Sequence, residues 1–351
     1  MSRIWRVGVL GLGHWYSAFG IARALRDYPR ATLAAAAWRR ADQLTEFTSA
    51  FGIEGHEDYA GVLARDEVDS VLIAAPVAEI PELAIAAARA GKHMILGKPM
   101  AMTLEEADRM VEAVQQAGVH CVAFQGLMRL RAGALKARIT GGELGEVAVL
   151  HQTSRWSIAE DWYRSGSAGW FVDPAQVPGG ALIDEGIYAI DVFRWLADSE
   201  VVQVEAKTAN LVHTELAVED WGFAQLTFAN GVFATLEASW TINAPRRTGP
   251  SPKQNSVVRL EVVGTRGEYV DQWFRAPGRG LLAAGADDWV FERQSEEPFG
   301  PSSPAPLDHL IDCVETNRRS PAGIEEARRS FIVAMAAYRA AREAKPVRLQ
   351  W

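Results

Sequence analysis

The sequence predicts an α/β protein in two parts: a doubly wound parallel sheet over residues 1–124, then an α+β unit over 125–351 built on a large open, mainly antiparallel sheet. Three observations carry this. Short β-rich apolar runs alternate with longer helical patterns up to about residue 124, as crossover connections require. Beyond about residue 146 the texture changes to longer strands with tight turns. And 351 residues are more than one core fills well, since chains divide beyond about 250–300 residues.

In order along the first part, strands are expected at 4–10, 31–38, 69–74, 93–96 and 119–124, with helical spacing at 80–90 and 103–117. In the second part strands are expected at 147–156, 201–213, 219–229, 232–241 and 257–264. Asn230-Gly231 between two of these marks a hairpin, because both residues tolerate positive φ. Two helices close the chain near 306–317 and 323–343, and the Pro/Gly/Ser-rich stretches 244–256 and 297–306 read as long loops, bordering a site or simply solvated.

Composition narrows the partners. Apolar residues make up 48% and charged residues 23%, an ordinary globular balance. A formal charge of −8, from 36 basic and 44 acidic residues, repels polyanions, so nucleic acid is not expected as a partner. No run approaches the roughly 20 apolar residues of a membrane span, and MSRIWRVGVL enters a strand without an apolar leader, so a cytoplasmic protein with no membrane partner is expected. Cys121 and Cys313 lie in apolar segments and read as buried thiols of a reducing compartment rather than a disulfide. The seven histidines lack metal-ligand spacing, so no metal is expected, and no serine sits in a nucleophile elbow.

Three segments carry chemistry. The first strand runs into Gly11-Leu12-Gly13-His14-Trp15-Tyr16 and then a helical pattern. Glycines there let a pyrophosphate approach the backbone at the positive end of a helix, the Rossmann arrangement for a dinucleotide; a purely structural turn is the other reading. Tyr16 stands where the third glycine of the fingerprint would be. Ala75-Pro76, after the third strand, is placed beside this turn as part of the same site. After the second strand, where an acidic residue usually binds ribose hydroxyls, the sequence is Trp38-Arg39-Arg40. Either these arginines pair with a 2′-phosphate, which favours NADP over NAD as cofactor, or they are a solvated helix start.

The second segment is Gly97-Lys98-Pro99 at the carboxyl end of the fourth strand, where ligands of open α/β sheets bind, which makes Lys98 a candidate site cation. In the third, a helix from Leu182 would place Asp184 and Tyr188 on one face at i, i+4, with Asp191 a further turn along. Taken alone, that polar stripe could equally face water. Arg155, Trp156 and Trp170, with His151, Trp162 and Tyr163, flank this segment and suit a small hydroxylated substrate, although core packing is an equal reading for each aromatic.

Together these pieces resemble the Gfo/Idh/MocA oxidoreductase family: the GLGHW turn, the KP of its usual EKP, GGALIDEGIYAIDVFRWL against GG-x-x-x-D-x-G-x-H-x-x-D, and a closing GIEEARRSFIVAMAAYRAAREAKPVRL. The resemblance spans almost the whole chain. It implies a Rossmann domain, a second domain whose open sheet commonly forms the subunit interface, hence a homodimer or homotetramer, and a catalytic group of Lys98, Asp184 and residue 188. Gly97 departs from the Glu of EKP, Tyr16 from a small residue, and Tyr188 from the commoner His, a change that glucose–fructose oxidoreductase shares.

The chemistry expected is hydride transfer between a nicotinamide and a secondary alcohol or ketone carbon of a sugar, inositol, polyol or diol. Tyr188 would exchange the hydroxyl proton, Lys98 would lower its pKa from about 10 toward neutrality, and Asp184 would hold the pair or the substrate. The family also admits a glycosidase that oxidises its sugar transiently, and a cofactor-bound regulator; retention of Lys98, Asp184 and Tyr188 together argues against the regulator.

Overall fold

The computed structural model describes residues 3–158, 169–242, 256–274, 278–283, 288, 290–292 and 303–351. In the first part, strands β1 (Trp5–Leu10), β2 (Ala31–Ala37), β3 (Glu54–His56), β4 (Ser70–Ile73), β5 (His93–Leu96) and β6 (Cys121–Ala123) form one parallel sheet in the order β3-β2-β1-β4-β5-β6. Helices α1 (Trp15–Ala24), α2 (Ala41–Phe51), α3 (Tyr59–Leu63), α4 (Ile80–Arg89) and α5 (Leu104–Ala117) connect them. Val7, Val9, Val71, Leu72 and Ile95 are buried, as expected of strands covered on both faces. Local chemistry sets several helix starts: Thr103 and Glu106 close a reciprocal capping box at α5, and Pro81 stands in the first turn of α4. The order reverses at β1, so a crevice opens above the carboxyl ends of β1 and β4.

Two short helices, α6 (Leu127–Arg131) and α7 (Gly133–Thr140), lead to β7 (Val147–Arg155). The long helix α8 (Ala181–Ala197) precedes β8 (Val201–Ala209), β9 (Trp221–Phe228), β10 (Phe233–Ser239), β11 (Val257–Gly264), β12 (Gly267–Phe274), β13 (Gly278–Ala283) and β14 (Val290–Glu292). Helices α9 (Ala305–Glu315) and α10 (Ile324–Glu343) and the short β15 (Val347–Arg348) end the chain. The second sheet runs β14-β13-β12-β11-β7-β10-β9-β8-β15 and is antiparallel except between β10 and β7. Gly231 turns with φ +89° in the β9–β10 hairpin, at the Asn-Gly pair the sequence marks.

The sequence reading places fewer strands in this sheet. β12, β13, β14 and β15 are additions to it, and the strand expected over 201–213 ends at Ala209, because Leu211, Val212 and His213 donate their backbone N–H groups to the buried Asp220 carboxylate instead of to a neighbouring strand. The expected loop 244–256 lies outside the described residues except for its last position, and so does most of 297–306.

One face of the large sheet is covered by α8, which packs on β10, β9 and β7, while α10 lies on β8 and α8. Helix α9 returns to the first sheet: Leu307, Leu310 and Ile311 join the apolar cluster of Trp5, Val7 and Val122. The parallel-sheet unit is thus completed by a helix that a boundary at residue 124 leaves outside. Cys121 and Cys313 are buried and free. No described helix is long and apolar enough to cross a membrane.

Candidate active site

Two geometries converge at the crevice. The first is the glycine turn between β1 and α1. Gly11 has φ +88°, and a Cβ there would stand 2.8 Å from the Ala75 backbone, while one on Gly13 would stand 2.6 Å from Pro76 Cδ. The turn is pressed against the segment after β4, and His14 N–H donates to Ala74 O at 2.7 Å. Only glycine meets both demands at position 11. Gly11→Ala is expected to lower the melting temperature of the cofactor-free protein more than Gly118→Ala, whose φ is +66° but whose Cβ position has open space around it. Strained φ alone costs about 1–3 kcal/mol. Equal shifts in a thermal melt would mean that the contact with Ala75 gives way freely.

The second geometry is the end of β5 facing the first turn of α8. Lys98 and Asp184 are both buried; the ammonium donates to the Asp184 carboxylate and also to the Asp184 backbone carbonyl at 2.6 Å. The other carboxylate oxygen accepts the indole N–H of the fully buried Trp240 at 3.1 Å. Lys98 Nζ lies 5.0 Å from the Tyr188 ring centroid. The i, i+4 spacing does put Asp184 and Tyr188 on the face turned to Lys98. Asp191 turns elsewhere, to Arg129 at 2.6 and 2.9 Å and Ser330.

The helix carrying this face is anchored at its start. Gly180 and Leu182 donate backbone N–H groups to the buried Glu219 carboxylate at 3.0 Å, and Tyr338 donates to the same group at 2.6 Å. A Cβ on Gly179 would collide with the Tyr338 ring, and one on Gly180 with the Glu219 carbonyl, which accounts for the Gly-Gly pair. A carboxylate at a helix N-terminus is favoured by the exposed N–H groups, and that applies to Asp184 in the first turn as well.

Electrostatics correct one expectation. Burial raises the Tyr188 phenol above its usual range and outweighs the opposite pull of Lys98, and Glu185 and Asp184 add smaller contributions to the rise. The phenol is therefore protonated near neutrality and is not the pre-formed base that the sequence reading takes it for. Burial disfavours the Lys98 charge, yet Asp184 first, then Tyr188 and Glu185, hold its pKa above the ordinary lysine value. Burial brings His14 down to about 4, with the Lys98 charge adding to the fall, so His14 is neutral.

His14 bonds Ser17 through Nδ1 at 2.7 Å and packs on Trp170 and Phe171 at 6.3 and 5.7 Å between centroids. Trp170 donates its indole N–H to Gly13 O at 2.9 Å and, with Pro99, Val177 and Ile183, lines the cleft beside Lys98 and Asp184. The glycine turn and the Lys98 cluster thus share one wall. Other expected residues sit differently. Trp15 packs on Phe19 and Phe47 between α1 and α2, leaving only its backbone at the turn. Trp38 is buried with its N–H on Gln43. Trp156 reaches the cluster indirectly: its N–H bonds Ser154, which bonds Glu185.

Arg155 does not join the site. Along β7 its neighbours Leu150, Gln152 and Ser154 are buried, whereas Arg155 projects to the opposite, exposed face and pairs with Glu237 at 2.7 Å; His151 shares that face and bonds Thr235. Trp162 and Tyr163 lie outside the described residues. Arg39 and Arg40 are not idle cations either. Arg39 pairs with Glu79 and lies over Trp38, 4.8 Å from the ring centroid, and Arg40 lies 3.7 Å from Asp42, so neither arginine by itself supports the NADP preference expected from the sequence.

Residues that could hold a dinucleotide are in place: a glycine turn at a helix start, above the switch point of a parallel sheet, with a buried cation at the far end of the crevice. Among the described residues no group of three His, Cys, Asp or Glu side chains could hold a metal ion.

Two family models match the chain: the oxidoreductase family with an NAD-binding Rossmann fold over residues 5–124, and the GFO/IDH/MocA C-terminal domain over 133–270. Myo-inositol 2-dehydrogenase of Thermotoga maritima is 30% identical over 269 residues, 75% of this chain and 73% of that protein. Scyllo-inositol 2-dehydrogenase (NAD(+)) of Bacillus subtilis is 25% identical over 98% of this chain and 96% of its own length. Among solved structures, aldose-aldose oxidoreductase from Caulobacter crescentus, complexed with glycerol, superposes with a TM-score of 0.82 at 25% identity, covering 99% of this chain and 100% of that one.

Proposed function

The chain belongs to the Gfo/Idh/MocA oxidoreductase family, and from that premise we propose that it moves a hydride between nicotinamide and the secondary alcohol or ketone carbon of a small sugar, inositol or related polyol. The observation that carries this reading is the buried Lys98–Asp184 pair with Tyr188 beside it, sharing a wall with the glycine turn. Relatives named for inositols and aldoses support the substrate class.

The bound nicotinamide supplies the hydride acceptor or donor; the chain supplies the rest. An ammonium has three N–H donors, and Lys98 gives two to Asp184, which leaves one for a substrate oxygen. In ketone reduction, negative charge grows on that oxygen, where Lys98 stabilises it and Tyr188 passes its phenolic proton to it. In alcohol oxidation the hydroxyl proton passes to Tyr188 in its phenolate form, which must first lose its own proton to solvent because burial keeps the phenol neutral near pH 7. Asp184 fixes the direction of the ammonium and is itself fixed by Trp240. We read the cofactor as NAD, in line with the B. subtilis relative's name and with the engaged state of Arg39.

A panel of inositols, aldoses, polyols and diols assayed with NAD and NADP tests this directly. Reduced-nicotinamide absorbance is expected to rise in step with ketone product on at least one hydroxylated ring. Release of an aglycone from a glycoside with no net absorbance change would replace the dehydrogenase reading with transient oxidation.

A further inference from the structure

We propose that Glu79, which follows β4, selects NAD over NADP, in place of the acidic residue missing after β2. The proposal rests on the reading that a nicotinamide dinucleotide occupies the crevice, and it concerns the ribose at the adenosine end. Ribose hydroxyls of a bound dinucleotide meet the segment after the second strand, which here is Trp38-Arg39-Arg40. Glu79 is remote in sequence from that segment but not in space. In the order β3-β2-β1-β4, β1 lies between the strands that carry Arg39 and Glu79, so their ion pair bridges the carboxyl end of β1, where Gly11 turns.

The carboxylate is held on both oxygens. Oε1 accepts from the Arg39 guanidinium and Oε2 from the Tyr59 hydroxyl at 2.9 Å, while the guanidinium carbon lies over the buried Trp38 ring, 4.8 Å from its centroid. The Glu79 side chain is only 22% exposed against 56% for Arg39, so the acid is the fixed member of the pair and the arginine the one reaching to it. A 2′-phosphate carries close to two negative charges and needs the arginine. Taking Arg39 from Glu79 would leave the carboxylate without its cation and within one guanidinium's width of the phosphate, like charge facing like charge. A plain 2′-hydroxyl makes no such demand, since it can donate to the carboxylate while the pair stays closed.

The test is binding without substrate, read by calorimetric titration of NAD and NADP into wild type, Glu79→Gln and Arg39→Ala, with melting temperatures recorded for each. Wild type is expected to bind NAD at least tenfold more tightly. Glu79→Gln should tighten NADP tenfold or more, with NAD changed by less than about threefold, and high salt should erode the wild-type discrimination. Arg39→Ala, which exposes an unscreened carboxylate, should weaken NADP further and widen the ratio. An unchanged NADP-to-NAD ratio in both variants overturns the proposal, as does a wild type that prefers NADP. Selective NAD binding with no turnover on any alcohol would leave Glu79 in this role and sink the dehydrogenase reading instead.

Discussion

Lys98→Ala is expected to lower turnover at least a hundredfold while cofactor affinity, titrated without substrate, stays within about threefold. Positioned groups that move or stabilise a proton contribute about 10²–10⁴ in rate, and Lys98 is the cation nearest both Asp184 and the Tyr188 ring. The variant should also be less stable. The side chains of the pair are 7% and 11% exposed, and removing one partner of a buried pair typically costs about 3–5 kcal/mol because the other charge is stranded. Among the described residues, the Trp240 indole N–H would then be the remaining side-chain hydrogen bond to the Asp184 carboxylate. Turnover is therefore to be measured well below the variant's own melting temperature. Lys98→Met keeps the chain length without the charge and should be equally slow. Near-normal rates in either variant would remove Lys98 from the chemistry.

Five of the six strands of the parallel sheet are readable because their signals are local; the edge strand β3, three residues long and mostly exposed, is not expected from the sequence. An apolar run buried on both faces, a glycine at positive φ and a helix start follow one another within β1, Gly11 and α1. The large sheet was readable only where its strands are long or joined by a marked turn such as Asn230-Gly231. β13 and β14 escaped because Gly278, Gly280 and short length blur the alternation that identifies a strand. The sequence predicts helix α9 but not its docking on β5 and β6, since which sheet covers Leu307 and Leu310 is settled by distant partners.

The same division holds at the site. Lys98, Asp184 and Tyr188 stand out because each sits at a strand end or on a helix face that the sequence itself defines. Trp240, Glu219, Tyr338 and Glu79 act across the fold, and each has an ordinary local setting: Glu79 looks like a first-turn acid of a helix, and Trp240 like the last apolar residue of a strand. Arg155 misleads for the opposite reason. It adjoins Trp156 in sequence, but successive strand residues face opposite ways, so proximity along the chain puts it on the wrong side of the sheet.

Tyr188→Phe should cost a comparable factor in rate, about 10²–10⁴, with almost no loss of stability. The ring volume is kept, and among the described residues the phenolic oxygen has no hydrogen-bond partner that its removal would strand; the ring meets Lys98 by its face. The pH profile separates a proton role from mere packing. Because burial holds the phenol above its usual range, the neutral form dominates through the neutral range and the phenolate fraction grows about tenfold per pH unit below that pKa. Alcohol oxidation, which needs an acceptor for the hydroxyl proton, should therefore accelerate with rising pH in wild type. Ketone reduction, which needs the proton already in place, should stay level until the phenol begins to ionise. In Tyr188→Phe the oxidative slope should flatten, and Tyr188→His should restore part of the rate with a profile displaced toward the imidazole range near pH 6.5. A Phe variant that keeps both the rate and the slope would move the proton to Asp184, the acid hydrogen-bonded to Lys98.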